Sequence, residues 1–243
     1  MNQVYIIEAI RTPRGKAKKS GELSDLNPHE LLRVLYDDLV DKEIFELDLL
    51  DEVILGCVTQ QGEQAGNIAK SSSLYAGHPD SVSGLTINRF CSSSLDAFNI
   101  GYLKIASGQH SFVIAGGIEM MSRVPMLSDN AAIWTDPKTA LDARIFMMGS
   151  GADLIASLNK ISREEADILA LSSQQKALKA QESDFFKSIV PVFNKTKNLT
   201  CSKDECIRPE TTMEGLSILK PSFESLGRQG VDALQLKYFP KLK

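Results

Sequence analysis

Three short apolar runs constrain the fold most: Val53-Ile54-Leu55, Leu85-Thr86-Ile87 and Ser111 to Ala115. Each is too short for a helix, and helical patterns separate them. A run that is apolar at consecutive positions, and not only at alternating ones, suits a strand buried on both faces. Such strands pair in parallel under a cover of helices. Glycine follows the first run at Gly56 and the third at Gly116-Gly117. Upstream, Asn27-Pro28-His29-Glu30 has the form of a helix start, with Asn27 as cap, Pro28 in the first turn and Glu30 three residues on. Leu31, Leu32, Leu35 and Leu39 follow at helical spacing. An α/β layer structure with parallel pairing is therefore the expected class of the first half. Val4 to Ile7 is expected to be a further strand.

From Glu119 onward the texture changes. Apolar runs shorten, methionines gather (Met120, Met121, Met126, Met147, Met148), and polar connections lengthen. Residues 1–118 are accordingly expected to form an α/β core domain, and residues 119–243 a looser α+β unit. Ser162 and Glu165 make a capping-box pattern, which starts a helix expected to run toward Ala180. Ile189-Val190-Pro191-Val192 reads as a short extended piece. No internal repeat is present.

Charge and composition exclude several functions. Against 31 acidic residues stand 27 Lys and Arg, a net charge of −4, which offers no electrostatic footprint for nucleic acid. The short basic clusters, Arg14 to Lys19 and Lys237 to Lys243, read as solvated surface. No run of 18 apolar residues is long enough to cross a membrane as a helix. The N-terminus leads straight into the first apolar run, without the parts of a signal peptide. Cysteines at 57, 91, 201 and 206 lack the paired spacing of a disulfide framework. A reduced, cytoplasmic protein is expected. Cys201 and Cys206 have no following histidine or cysteine pair, so no metal site is expected.

Cys91 stands in INRFCSSSLDAF, between the second apolar run and a helix in which Leu95, Phe98, Tyr102 and Leu103 share a face. At such a junction the positive end of the helix dipole favours a thiolate. Ser92, Ser93 and Ser94 keep the first turn small and polar. The alternative is plain packing, since free cysteine is among the most buried residue types. These neighbours alone leave both readings open.

Five segments, in order, bear on the choice: EAIRTPRGK, NRFCSSSLDAF, VIAGGIEMMSRVP, SREEADILALSSQQKA and RPETTMEGLSILKPSF. Together they resemble the thiolase family over nearly the whole chain. GRQGVDALQLKYFPKLK is similar to an insertion in a branch of acetyl-CoA acetyltransferases. The resemblance implies a layered αβαβα fold, of which this chain would supply the first half-core with an inserted α+β loop domain. It implies acyl transfer between CoA thioesters, by thiolysis of a 3-ketoacyl-CoA or Claisen condensation of two acetyl-CoA. Cys91 would be the nucleophile, and its backbone N–H one oxyanion donor. Arg208 would lie by the adenine and phosphates of coenzyme A, and Met148 and Phe223 beside the ligand. Coenzyme A and acyl-CoA would be substrates, with no further cofactor. The complete protein would be a homodimer or homotetramer. A ketoacyl synthase shares the layered fold and the cysteine, but the RPETT and KPSF segments resemble thiolases.

The chain departs from that pattern in one respect. The family's GHP histidine, CxGxG cysteine and NEAF-type asparagine belong to a C-terminal half that is not in these residues. Gly77-His78-Pro79 lies before Cys91, where the family's catalytic GHP does not, and His78 reads as a turn residue. His29 and His110 have no partner motif. The chain is thus expected to be part of a longer thiolase, inactive alone and with an unfinished sheet that exposes an apolar face. The alternative is a naturally short, non-catalytic protein that binds acyl-CoA or another subunit.

Overall fold

The computed structural model describes residues 2–43, 45–240 and 242, which divide into two compact units. The first comprises residues 1–129 with 186–206, and the second residues 130–185 with 207–243. The cluster at 237–243 includes Lys241 and Lys243, which lie outside the described residues.

The first unit is an α/β layer structure. Its elements are helix α1 (Pro28–Asp41), strand β1 (Glu52–Gly56), helix α2 (Ile68–Tyr75), strand β2 (Ser83–Ile87), helix α3 (Ser93–Ala106) and strand β3 (Val113–Gly117). The strands form a parallel sheet in the order β2-β1-β3. Central β1 is buried at all five positions, which is why its sequence is apolar without alternation. Val53 and Leu55 face α1 and α2 in a core with Leu32, Tyr36, Ile68, Ala69 and Val82. Glu52, Ile54 and Gly56 point to the other face, where α3 lies.

Helix α1 starts as its sequence dictates. The Asn27 carboxamide oxygen accepts the Glu30 N–H at 3.0 Å, and the Glu30 carboxylate accepts the Asn27 N–H at 2.7 Å. Strand β3 begins two residues later than its apolar run suggests. The Asp51 carboxylate takes up the N–H groups of Ser111 and Phe112, and those two residues lie outside the strand. These bonds hold the Asp51 carboxyl below its ordinary range.

One expectation about apolar residues is corrected. Val4 to Ile7 is not a strand. It pairs with no ladder among the described residues, and Tyr5, Ile6 and Ile7 are exposed. Strand propensity without a neighbouring strand leaves the ladder unformed. The face of α3 turned to the sheet is made of small residues. Leu95, Phe98, Tyr102 and Leu103 are exposed, while Ser93, Ala97 and Gly101 are buried. Small residues face inward because the helix lies so close. An added Cβ at Gly101 would stand 3.3 Å from Val113 Cγ1.

Strands β4 (Val192–Asn194) and β5 (Leu199–Cys201) form an antiparallel hairpin that belongs to the first unit. Val192 and Cys201 pack with Leu23, Leu31 and Met120. The residues just beyond hold the start of the chain: Asp204 grips the Arg11 guanidinium through two hydrogen bonds of 2.8 and 2.9 Å and accepts the Arg14 N–H. Glu205 accepts the N–H groups of Lys16 and Glu22.

The second unit is helical, with α4 (Ala132–Thr135), α5 (Pro137–Asp142), α6 (Met148–Asn159), α7 (Arg163–Glu182), α8 (Met213–Ser217), α9 (Glu224–Leu226) and α10 (Asp232–Tyr238). The Ser162–Glu165 capping box opens α7 as expected. Gln235 of α10 donates to the Ser150 carbonyl of α6 at 2.9 Å in a buried contact.

Helix α3 lies very close to the end of β1. A Cβ on Gly56 would stand 2.4 Å from both Ser93 C and Ser94 N. Gly56→Ala should therefore push α3 off the sheet and cost about 1–3 kcal/mol, the usual penalty of overpacking. A urea midpoint lower than that of the parent protein checks this; an unchanged midpoint would contradict the close approach.

Candidate functional site

The C-terminal ends of parallel strands are where α/β sheets present ligand sites. Here β2 ends at Ile87, and α3 begins at Ser93 with Ser92 as its cap position. Cys91 lies between them, one residue ahead of the cap, and is exposed. It therefore stands at the mouth of a 14-residue helix and is not packing material.

The turn that presents Cys91 is strained and well tied. Phe90, the residue before it, has φ of 49°, a left-handed conformation that bulky side chains avoid. Such a residue costs about 1–3 kcal/mol and persists only where its surroundings hold it. Three sets of bonds do so. The Asn88 carboxamide oxygen accepts the Phe90 N–H at 2.8 Å. Buried Ser93 accepts the Arg89 N–H at 2.8 Å and donates its hydroxyl to the Phe90 carbonyl at 2.6 Å. The N–H groups of Ser92 and Ser93 donate to the carbonyls of Arg89 and Phe90 at 3.1 and 3.0 Å. The Arg89 guanidinium pairs with Asp96 in the first turn of α3.

A polar network joins the ends of all three strands next to this turn. Glu119, just past β3, accepts the Val58 N–H at 2.8 Å and a Gln64 amide hydrogen at 2.9 Å. Gln64 is fully buried and also donates to the Thr59 carbonyl and accepts the Met120 N–H. Asn88 donates to the Val58 carbonyl at 3.2 Å. From the sequence Ser93 is recognised only as a small, polar residue of the first turn, and Asn88, Phe90, Gln64 and Glu119 are not recognised as parts of the site. The one available signal was the residue type of Asn88, which commonly bonds the backbone two residues on.

The three histidines are engaged with other groups. His29 Nε2 lies 3.0 Å from Ser71 Oγ, and His110 Nε2 lies 3.2 Å from Glu52 Oε2. His78 is more than a turn residue. It is buried against the Tyr36 ring, with Nδ1 3.1 Å from Ser73 Oγ. Burial lowers its pKa from the ordinary value. Among the described residues no group of three or more His, Cys, Asp or Glu gathers to hold a metal ion. No helix among them is long and apolar enough to cross a membrane.

The other residues singled out from the sequence lie in the second unit. Met148 opens α6 and is 82 % exposed. The Phe223 ring covers the first turn of α6, since a Cβ on Gly149 would meet its edge at 2.0 Å. Phe223 thus lies beside the helical turn that Met148 opens. Exposed Arg208 is fixed against α7, its N–H donating to the Gln174 carboxamide oxygen at 2.7 Å.

Comparison with known proteins gives a consistent relationship. Residues 4–231 match the family model described as thiolase, N-terminal domain. The chain is 38 % identical to the 3-oxoadipyl-CoA/3-oxo-5,6-dehydrosuberyl-CoA thiolase of Escherichia coli, over 93 % of this chain and 61 % of that protein. It is 36 % identical to the 3-ketoacyl-CoA thiolase of Aliivibrio fischeri, over 92 % of this chain and 59 % of that one. The crystal structure of the Bacillus anthracis acetyl-CoA acetyltransferase superposes with a TM-score of 0.77 at 35 % identity, over 90 % of this chain and 58 % of that one. The chain thus spans about three fifths of the length of these relatives.

All four cysteines are free thiols, but their environments differ. Burial, with the Glu119 charge nearby, pushes the Cys57 thiol up to about 12. Burial, with the Glu22 charge nearby, pushes Cys201 to about 11. Iodoacetamide at about pH 8 should therefore label Cys91 and Cys206 in the native protein and spare Cys57 and Cys201 until denaturant is added. Peptide mass mapping reads the result, and native labelling of Cys57 ahead of Cys91 would contradict the described burial.

Proposed function

Because the chain belongs to the thiolase family, we propose that Cys91 is the nucleophile of an acyl transfer between CoA thioesters. The observation that carries the reading is its place: an exposed thiol on a strained turn, at the C-terminal end of a parallel sheet and the mouth of α3. The Cys91 thiolate attacks the 3-keto carbonyl of a 3-ketoacyl-CoA in thiolysis, or the thioester carbonyl of acetyl-CoA in condensation, and forms a carbon–sulfur bond. The tetrahedral intermediate collapses with expulsion of the first thiolate or carbanion, which takes up a proton, and leaves an acyl-Cys91 thioester. A second acceptor, the thiol of coenzyme A in thiolysis or the α-carbon of acetyl-CoA in condensation, takes the acyl group and frees Cys91. The backbone N–H of Cys91 is one oxyanion donor. The base that takes the Cys91 proton comes from outside these 243 residues, in a longer protein, and the chain alone does not turn over. The prior engagement of His29, His78 and His110 supports this.

Coenzyme A is the thiol carrier. Arg208 recognises its adenine and phosphates, for which a planar guanidinium is suited. Met148 and Phe223 form an apolar support for the ligand. Residues 1–118 serve as the first half-core of a layered αβαβα thiolase fold, and residues 119–243 as its inserted loop domain. The working form is a cytoplasmic homodimer or homotetramer. The substrate is a 3-oxoacyl-CoA or acetyl-CoA, and similar identities to relatives named for different acyl groups select none of them.

A second reading is a non-catalytic module for acyl-CoA binding or subunit association. The exposed side chains of Tyr5, Ile6 and Ile7, and of Leu95, Phe98, Tyr102 and Leu103, favour it. Substitution in the full protein that carries this chain separates the two. Cys91→Ser should abolish thiolysis, and Arg208→Ala should raise KM for CoA about tenfold through loss of a charge-assisted contact. Undiminished turnover in Cys91→Ser would reject the nucleophile, and an unchanged KM in Arg208→Ala would reject its role.

A further inference from the structure

We propose that Asn88 is a positioning residue for Cys91, holding the strained turn and locking it to the end of the central strand. This rests on the reading of Cys91 as nucleophile. The Asn88 oxygen accepts the Phe90 N–H at 2.8 Å, and its nitrogen donates to the Val58 carbonyl at 3.2 Å. The two partners fix which way the carboxamide points, since an N–H needs an acceptor and a carbonyl needs a donor. A carboxamide is the only side chain of this length that serves both. Aspartate lacks the donor, and leucine, its isostere, lacks both groups.

Each end of the clamp has a consequence. At one end, the bond to the Phe90 N–H fixes the peptide of the residue whose φ of 49° turns the chain toward Cys91. At the other, Val58 is itself immobilised, because Glu119 accepts its N–H and Gln64, fully buried, braces Glu119. The turn is therefore referred, through one side chain, to a point fixed by the ends of β1 and β3. Without Asn88 the turn at Phe90 loses its tie to the strand side and keeps its bonds to Ser93 on the helix side. The thiol would then move with a relaxed turn.

The test uses the full protein that carries this chain. Asn88→Ala should lower kcat for acyl transfer about 10- to 100-fold, the usual effect of a misplaced reacting group, with KM within about twofold. The alkylation rate of Cys91 relative to Cys206, an internal reference, should change by about threefold or more. Glycine adopts positive φ without steric cost. Adding Phe90→Gly to Asn88→Ala should therefore restore most of kcat and the alkylation ratio, which a general loss of stability would not allow. Asn88→Asp, which keeps the acceptor for Phe90 and loses the donor to Val58, should give an intermediate loss and serves if Asn88→Ala does not fold. Wild-type kcat and alkylation ratio in Asn88→Ala or Asn88→Asp, or no restoration by Phe90→Gly, would overturn the proposal. If Cys91→Ser keeps full turnover, the nucleophile reading fails separately, and the alkylation ratio still reports whether Asn88 holds the turn.

Discussion

Two missing Cβ atoms govern how the first unit is put together. Gly56 and Gly117 are the last residues of neighbouring strands, and the first turn of α3 lies directly on them. A Cβ on Gly56 would meet the Ser93–Ser94 peptide at 2.4 Å, and one on Gly117 would meet Ser94 Oγ at 2.0 Å. Backbone contact of this kind is available only to glycine. It brings the start of α3 down onto the C-terminal edge of the sheet. The inward face of the helix must then be made of Ser93, Ala97 and Gly101, and its large apolar residues face outward. The position of Cys91 follows from the same contact, because the chain has only five residues between β2 and α3.

Those five residues must reverse from strand to helix, and the reversal is made with Phe90 in a left-handed conformation. Its cost is offset by hydrogen bonds from Asn88 on the strand side and Ser93 on the helix side. The geometry gives an exposed thiol a defined position at a helix N-terminus, the place where the peptide dipoles favour negative charge. A thiol used only for packing needs none of this. Cys57 shows the contrast: it lies in the core with Leu55 and Ile68, its thiol pushed up by burial.

Much of this was legible in the sequence where the determining contacts are local. The capping boxes at Asn27 and Ser162 form as written, because each involves residues three apart. The continuous apolar character of Val53-Ile54-Leu55 reports a strand with both faces covered, and β1 is that strand. Features set by distant partners were not legible. Val4 to Ile7 has strand composition but no paired strand among the described residues. The sequence shows that Leu95, Phe98, Tyr102 and Leu103 share a face of α3, and only the glycines of β1 and β3 explain why the opposite face is inside. The burial of His78 against Tyr36 depends on a helix some forty residues earlier. Nothing in NRFCSS announces a positive φ at a phenylalanine. In the second unit, Phe223 meets α6 across more than seventy residues of chain, a contact that no local pattern encodes.

The most direct test of the central claim is to trap the acyl group. The full protein carrying this chain would be incubated with acetyl-CoA, quenched in acid and digested, and the acetyl group located by peptide mass mapping. The account predicts acetyl on Cys91, released when coenzyme A is added before the quench. Acetyl on another residue, or an unmodified Cys91 in protein that turns over acetyl-CoA, would contradict it.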